Sequence, residues 1–426
     1  MLSREDNKLL TRVGPGTPVG NLLRCFWLPF ALASELPAPD CDPVRVRLLG
    51  EDLVAFRDTN GSLGLIQNNC PHRGASLFFG RNEEVGLRCV YHGWKFDTAG
   101  TCVDMPNEPA ESDFKQKVKA IAYPAQERGG ILWAYLGPEE RQPKLPELEW
   151  THVPASHRYV SKRTQSCNYL QNVEGEVDSS HVSFLHSRQV GADTAGIQAD
   201  PGSSLPDYMV LDRAPRFFVL PTDYGMLIGA RRDAGADAYY WRITQFLMPT
   251  YTMIPVPVGT PISFTAAAPV DDENFMGFTV TWHADRPLLA DEVAQIESWE
   301  GVHTQVDSRT FKPLRNRDND YLIDRALQRR GESYTGIRGI REEDLAVQES
   351  MGVICDRANE HLGSADLAVI TMRRRLLQAA RALRDRGEVP YEALNSDSYR
   401  VRSAALVLPR NVEWNHGAAQ AMIACI

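Results

Sequence analysis

Residues 70–94 read CPHRGASLFFGRNEEVGLRCVYHGW and put Cys-x-His near one end and Cys-x-x-His near the other. Thiolates and imidazoles are the side chains that hold soft and borderline metals, so Cys70, His72, Cys89 and His92 form a candidate ligand set. Two metal groups fit it. Zinc would take all four ligands tetrahedrally, whereas a two-iron, two-sulfide cluster would take the thiolates on one iron and the imidazoles on the other. Zinc fingers usually pair like with like. Here each short loop brings one Cys and one His, which suits a group with chemically different ends. Pro71, Gly74 and Gly93 supply tight turns beside the ligands.

A second group lies in EGEVDSSHVSFLH, residues 174–186. His181 and His186 are five apart, about 140° from each other on an ideal helix, so they share one metal only if the helix ends or is distorted there. Asp178, three before His181, shares its face. By spacing alone this histidine pair is also readable as a hydrogen-bonded core pair.

The elements that must position these residues are legible in outline. Residues 44–66 alternate apolar and polar side chains around Gly-Glu-Asp and Asn-Gly turns, which predicts antiparallel hairpins. KFDTAGTCV predicts a further strand, turn and strand. The Pro- and Glu-rich stretch GPEERQPKLPELEW predicts a linker or surface crossing. Beyond it, residues 217–283 are strand-like, and Val369, Ile370, Leu376, Leu377, Ala380 and Leu383 recur at helical spacing. The expected organisation is an N-terminal extension over 1–25, a small β-domain over 26–140 and an α+β domain over 141–426.

Composition narrows the function. The chain has 426 residues, 43% hydrophobic and 24% charged, enough for two or three domains with their own cores. The net charge is −9 with Arg and Lys scattered, so no basic face for nucleic acid is expected. The apolar run CFWLPFALA is too short to span a bilayer, and MLSREDNKLL has no signal-peptide apolar core, so a cytoplasmic protein is expected. The other cysteines, Cys25, Cys41, Cys102, Cys167, Cys355 and Cys425, form no further ligand set and are expected as buried thiols.

The 70–94 segment resembles a Rieske iron–sulfur domain, and EGEVDSSHVSFLH resembles the D-x-x-H-x(4)-H motif of Rieske non-heme iron oxygenases. LGEDLVAFRDTNG, LFFGRNEE, LRCVYHGWKFD and EHLGSADLAVI are similar to the phthalate-dioxygenase-type branch, so the resemblance covers nearly the whole chain. It implies a β-sandwich Rieske [2Fe-2S] domain joined to a helix-grip catalytic domain with an antiparallel sheet and helices. It implies a terminal oxygenase that binds Fe(II) through His181, His186 and a later carboxylate. REEDLAVQES resembles the family's acidic stretch, which selects Asp344, five before Glu349, over its competitors Glu343 and Asp356. Asp178 would link His181 to His92 of a neighbouring subunit, which implies a homotrimer or stacked trimers. Electrons would come from NAD(P)H through a separate flavin or ferredoxin-type reductase.

The reaction implied is hydroxylation or dihydroxylation of an aromatic carboxylate with O2. Oxidative O-demethylation of a methoxylated aryl acid is the alternative. An electron-transfer or regulatory protein with an inactive mononuclear site is the reading from another class. Arg231, Arg232 and Arg242 lie on strand-like segments and are readable either as carboxylate partners or as solvated strand-face charges.

Overall fold

The structure, a computed structural model, describes residues 2–109, 111–187 and 205–426. Three small antiparallel sheets build the N-terminal part. Val44–Leu48, Glu51–Arg57 and Leu63–Gln67 form one meander. Its first hairpin closes through Leu49 and Gly50, both at positive φ (50° and 80°), the backbone a two-residue hairpin turn needs. Trp27–Leu32 pairs with Ile131–Tyr135, which pairs with Ala125–Arg128. Four short strands, from Arg81–Asn82 to Cys102–Asp104, carry the second ligand loop.

The C-terminal part is built on an eight-stranded antiparallel sheet. Arg158–Gln165 lies at one edge and Arg216–Thr222 at the other. Strand Ala238–Leu247 is shared along one side: its last residues pair with Tyr251–Ile254, and Ala238 to Ile243 pair with the late strand Ala404–Pro409. Helix Leu367–Arg386 buries Ala368, Val369, Met372, Leu376, Leu377 and Ala380, a stripe at helical spacing, and ends at Gly387 in the left-handed conformation. The N-terminal helices Arg4–Thr11 and Pro18–Arg24 pack against it. Each is started by a hydroxyl cap, Ser3 and Thr17.

The Pro- and Glu-rich stretch departs from the expected surface crossing. Its second half is buried because Trp150 stacks on Trp133 and packs on Phe264. Glu149 follows it inward, where its carboxylate accepts from the Trp282 indole (3.1 Å) and from Arg402 (2.8 Å). The cysteine expectation is also corrected at one end. Cys102 and Cys167 are buried and Cys25, Cys41 and Cys355 half-buried, but Cys425 is exposed. Its backbone N–H is held by Glu149 at 2.6 Å while the residue stays outside. Among the described residues no helix is long and apolar enough to cross a membrane.

Candidate metal centres

The two ligand loops of the N-terminal part are copies of one backbone design. The Cys70 N–H donates to the Ala75 carbonyl (2.8 Å) and the Gly74 N–H to the Cys70 carbonyl (2.9 Å). The Cys89 N–H donates to Trp94 (2.8 Å) and the Gly93 N–H to Cys89 (3.0 Å). Both glycines have positive φ, 76° and 79°, where an L side chain is costly. These loops bring all four predicted residues together. The Cys70 and Cys89 side chains are within hydrogen-bond contact, and the His72 and His92 rings meet edge-on at 4.5 Å.

Trp94 closes one side. Its indole stacks on His72 at 4.3 Å and 11°, and its N–H donates to Asn107 at 2.7 Å. Burial pushes the Cys70 thiol up to about 11, so a cationic metal is what converts it to a thiolate ligand. His92 Nδ1 is buried and has no hydrogen-bond partner. A metal would satisfy that atom, so the four residues fit a bound cluster.

The second group is assembled over a much longer stretch of chain. Helix Tyr169–Val177 is capped by Asn168 and ends before Asp178, which is extended (φ −85°, ψ 115°). A 3₁₀ turn at His181–Ser183 follows. This break lets residues five apart face one point, and His181 and His186 lie with ring centroids 5.1 Å apart. Helix Ile340–Ser350 brings Asp344 to them. One ligand atom each from His181, His186 and Asp344 lie within 4.8 Å of one another. Asp344 Oδ1 is 3.2 Å from His186 Nε2 and 3.8 Å from His181 Nε2. Two imidazoles and one carboxylate that meet in this way could hold an octahedral metal with positions left open.

Each of the three has a second partner. Asp178 Oδ2 faces His181 Nδ1 at 3.2 Å, and Glu343 Oε2 faces His186 Nδ1 at 2.7 Å. Arg341, fully buried, donates to Glu176 at 2.6 Å and to Asp344 Oδ2 at 3.4 Å. Burial alone would depress His186, yet Asp344 and Glu343 outweigh it and lift it to about 9. Burial opposes ionisation of Asp344, but His186, Arg341 and His181 hold it below the usual carboxylate range. The same contest, with His181 and the Ser180 N–H on the favourable side, leaves Asp178 lowered. These cationic partners are what a divalent metal would replace or reinforce.

Of the two competitors for Asp344, Asp356 is at the surface, where it caps Ala358 and Asn359. Glu343 lies behind the metal-facing atoms, on the far side of His186. Glu349 points elsewhere and accepts from Tyr321 at 2.5 Å.

A cavity of about 200 Å³ opens on His181, His186 and Asp344. The three arginines read from the sequence separate here. Arg242 lines the cavity, with its Nε on Ser179 Oγ (3.1 Å) and Nη1 near Met209 Sδ (3.2 Å). Arg232 is buried alongside and holds the Ser179 carbonyl (2.6 Å) and Ser183 Oγ (3.1 Å). Burial, then the Arg242 charge, push Arg232 down to about 10. Arg231 faces outward and packs over the Tyr239 ring at 4.1 Å. Sequence reading named Arg242 among three arginines and Glu343 as a competing ligand but had no means to assign their places, and it missed Arg341. The one available signal was the acidic run Glu342-Glu343-Asp344 next to Arg341.

Comparison with known proteins agrees with this geometry. Residues 26–122 match the Rieske [2Fe-2S] domain, and residues 134–424 match the family described as LigXa C-terminal domain like. The 3-chlorobenzoate-3,4-dioxygenase oxygenase subunit of Comamonas testosteroni is 39% identical over 97% of this chain and 97% of its own length. The phthalate 4,5-dioxygenase oxygenase subunit of Pseudomonas putida is 38% identical over 97% of this chain and 94% of its own. A solved structure, the Pseudomonas putida CBB5 NdmA QL mutant with theobromine, superposes with a TM-score of 0.59 at 19% identity. It covers 93% of this chain and 100% of its own, and shows a shared fold. The cofactors are thus a Rieske [2Fe-2S] cluster, in place of the alternative zinc, and a mononuclear iron. The chain belongs to the Rieske oxygenases, as an oxygenase subunit in which a Rieske domain precedes a LigXa-like catalytic domain.

Proposed function

We propose that this oxygenase acts on an aromatic carboxylate, and that Arg242 receives the carboxylate. The observation that carries this is the place of Arg242: a guanidinium lining the cavity on His181, His186 and Asp344, whose side-chain partners among the described residues, Ser179 and Met209, are neutral. A planar fork of donors suits a carboxylate, and Val182, Ile254 and Val302 offer apolar surface for a ring. That relatives are named for chlorobenzoate and phthalate supports the same reading.

In this proposal Cys70 and Cys89 hold one iron of the cluster and His72 and His92 the other, while His181, His186 and Asp344 hold the ferrous ion. When bound, the cluster would supply single-electron relay and the ferrous ion the chemistry of dioxygen activation. The chain's own residues do the positioning. Asp178 accepts from Nδ1 of His181, and Arg341 holds the second oxygen of Asp344. Asp178 also serves as the contact to His92 of a neighbouring subunit in a homotrimer or stacked trimers. NAD(P)H supplies the electrons through a separate reductase.

The test is a panel of aromatic acids with a surrogate reductase, measuring dioxygen uptake and product together. Arg242→Met should raise KM for carboxylate substrates by about 10- to 100-fold, the worth of one charge-assisted hydrogen bond. It should leave a neutral analogue nearly unaffected. Equal losses for both would remove Arg242 from the carboxylate site. Formaldehyde release from a methoxybenzoate would place the reaction as O-demethylation.

A further inference from the structure

Both imidazoles at the mononuclear site are backed by a carboxylate, but the two carboxylates sit in different surroundings. Asp178 keeps a quarter of its side chain exposed (25%) and spends its other oxygen on the neighbouring Ser180 N–H at 2.6 Å. Glu343 is 2% exposed, lies 2.7 Å from His186 Nδ1, and has its second oxygen held by the Thr335 hydroxyl at 2.5 Å. Thr335 Oγ1 in turn accepts from the Ile337 N–H at 3.0 Å. This chain of bonds anchors the carboxylate to backbone on a loop outside the metal-bearing helix. His186 is itself 4% exposed.

From this difference we infer that Glu343 is a positioning residue for the mononuclear iron, which fixes the His186 ring and its Nδ1–H tautomer so that Nε2 is presented to the metal. Asp178, open on one side, is left to carry the contact between centres. The inference rests on the ligand assignment proposed above. It concerns metal retention, whereas Asp178 concerns electron delivery, so the two carboxylates should fail in different ways. An imidazole freed at Nδ1 can rotate about its χ2 angle or take the other tautomer, and both cost metal affinity.

The experiment uses the full-length protein with cluster and iron, held under argon, and follows the loss of mononuclear iron to a ferrous chelator. Cluster absorbance counts the folded molecules. Glu343→Ala should lose mononuclear iron about 10- to 100-fold faster than the parent with the cluster spectrum unchanged. Glu343→Gln, which still offers an oxygen to Nδ1–H, should lie between the two. The signal of the nitric oxide adduct of the remaining ferrous ion should broaden in Glu343→Ala, as the His186 ring takes several orientations. Parent-like iron retention in Glu343→Ala would overturn the inference. So would identical losses for the Gln and Ala variants, which would mark an effect of the Glu343 charge in place of an acceptor that orients Nδ1–H. Parent protein that holds no mononuclear iron would instead sink the ligand assignment itself.

Discussion

Around Cys70 and Cys89 the backbone makes the same pair of hydrogen bonds twice, within one stretch of chain and over a core whose buried residues run from Val54 to Ala120. His186 meets its partner Glu343 from 157 residues away. At that site a network of Asp178, Glu343, Arg341 and Glu176 holds the side chains in place. The first centre is specified by local chain geometry and the second by buried charge. The first should therefore be sensitive to glycine substitution, and the second to loss of a carboxylate.

The substitution with the largest expected effect falls where the two regions are proposed to communicate. Asp178→Asn should retain both the cluster and the mononuclear iron, yet lower turnover by about 100-fold or more, because an amide cannot hold two imidazole N–H groups as a carboxylate does. Metal analysis beside single-turnover reduction checks this, and near-normal turnover would remove the bridge. A smaller effect tests the repeated loop. A Cβ at Gly93 would come 2.6 Å from Pro106 Cγ, while at Gly74 nothing lies within 4 Å. Gly74→Ala should cost about 1–2 kcal/mol, the left-handed penalty alone, and Gly93→Ala more, with cluster content falling accordingly. Equal losses would mean that Pro106 yields to the new methyl group, and no loss in either that the loops are not limited by their turns.

The smallest effect belongs to His303, buried in the catalytic part between the hydroxyls of Ser161 (2.7 Å) and Thr281 (2.9 Å). Burial, then the charges of Arg341 and Arg163, push it down from 6.5 to about 3. Between those values the unfolded chain binds a proton that the folded one refuses, so stability is lost as pH falls below 6.5. The slope approaches about 1.4 kcal/mol per pH unit. Denaturant titrations of His303→Gln should show a shallower decline than the parent from pH 6.5 to 5.

This contrast also explains what the sequence discloses. Cys70, His72, Cys89 and His92 could be grouped by eye because their spacing is the site. The hairpins over 44–66 and the helix over 366–387 follow from period and turn chemistry. Asp344 could be preferred to Glu343 only through the resemblance, by its place five before Glu349, since adjacent residues on one helix both reach His186, one at each ring nitrogen. Arg231 and Arg232 alternate across their strand, but which face meets the cavity depends on pairing with residues far along the chain. Trp150 was hidden in a Pro-rich segment whose burial depends on partners at 133 and 264.

The shared flank of strand Ala238–Leu247 sets an order of assembly. Arg242 stands opposite Ala405 in the ladder, so the strand that bears it stays incomplete until nearly all of the polypeptide has left the ribosome. Among the described residues the cluster loops draw on none beyond Ala122 for their immediate core and can close long before. During synthesis, then, the loops that would hold the cluster can form well before the strand that bears Arg242 is completed.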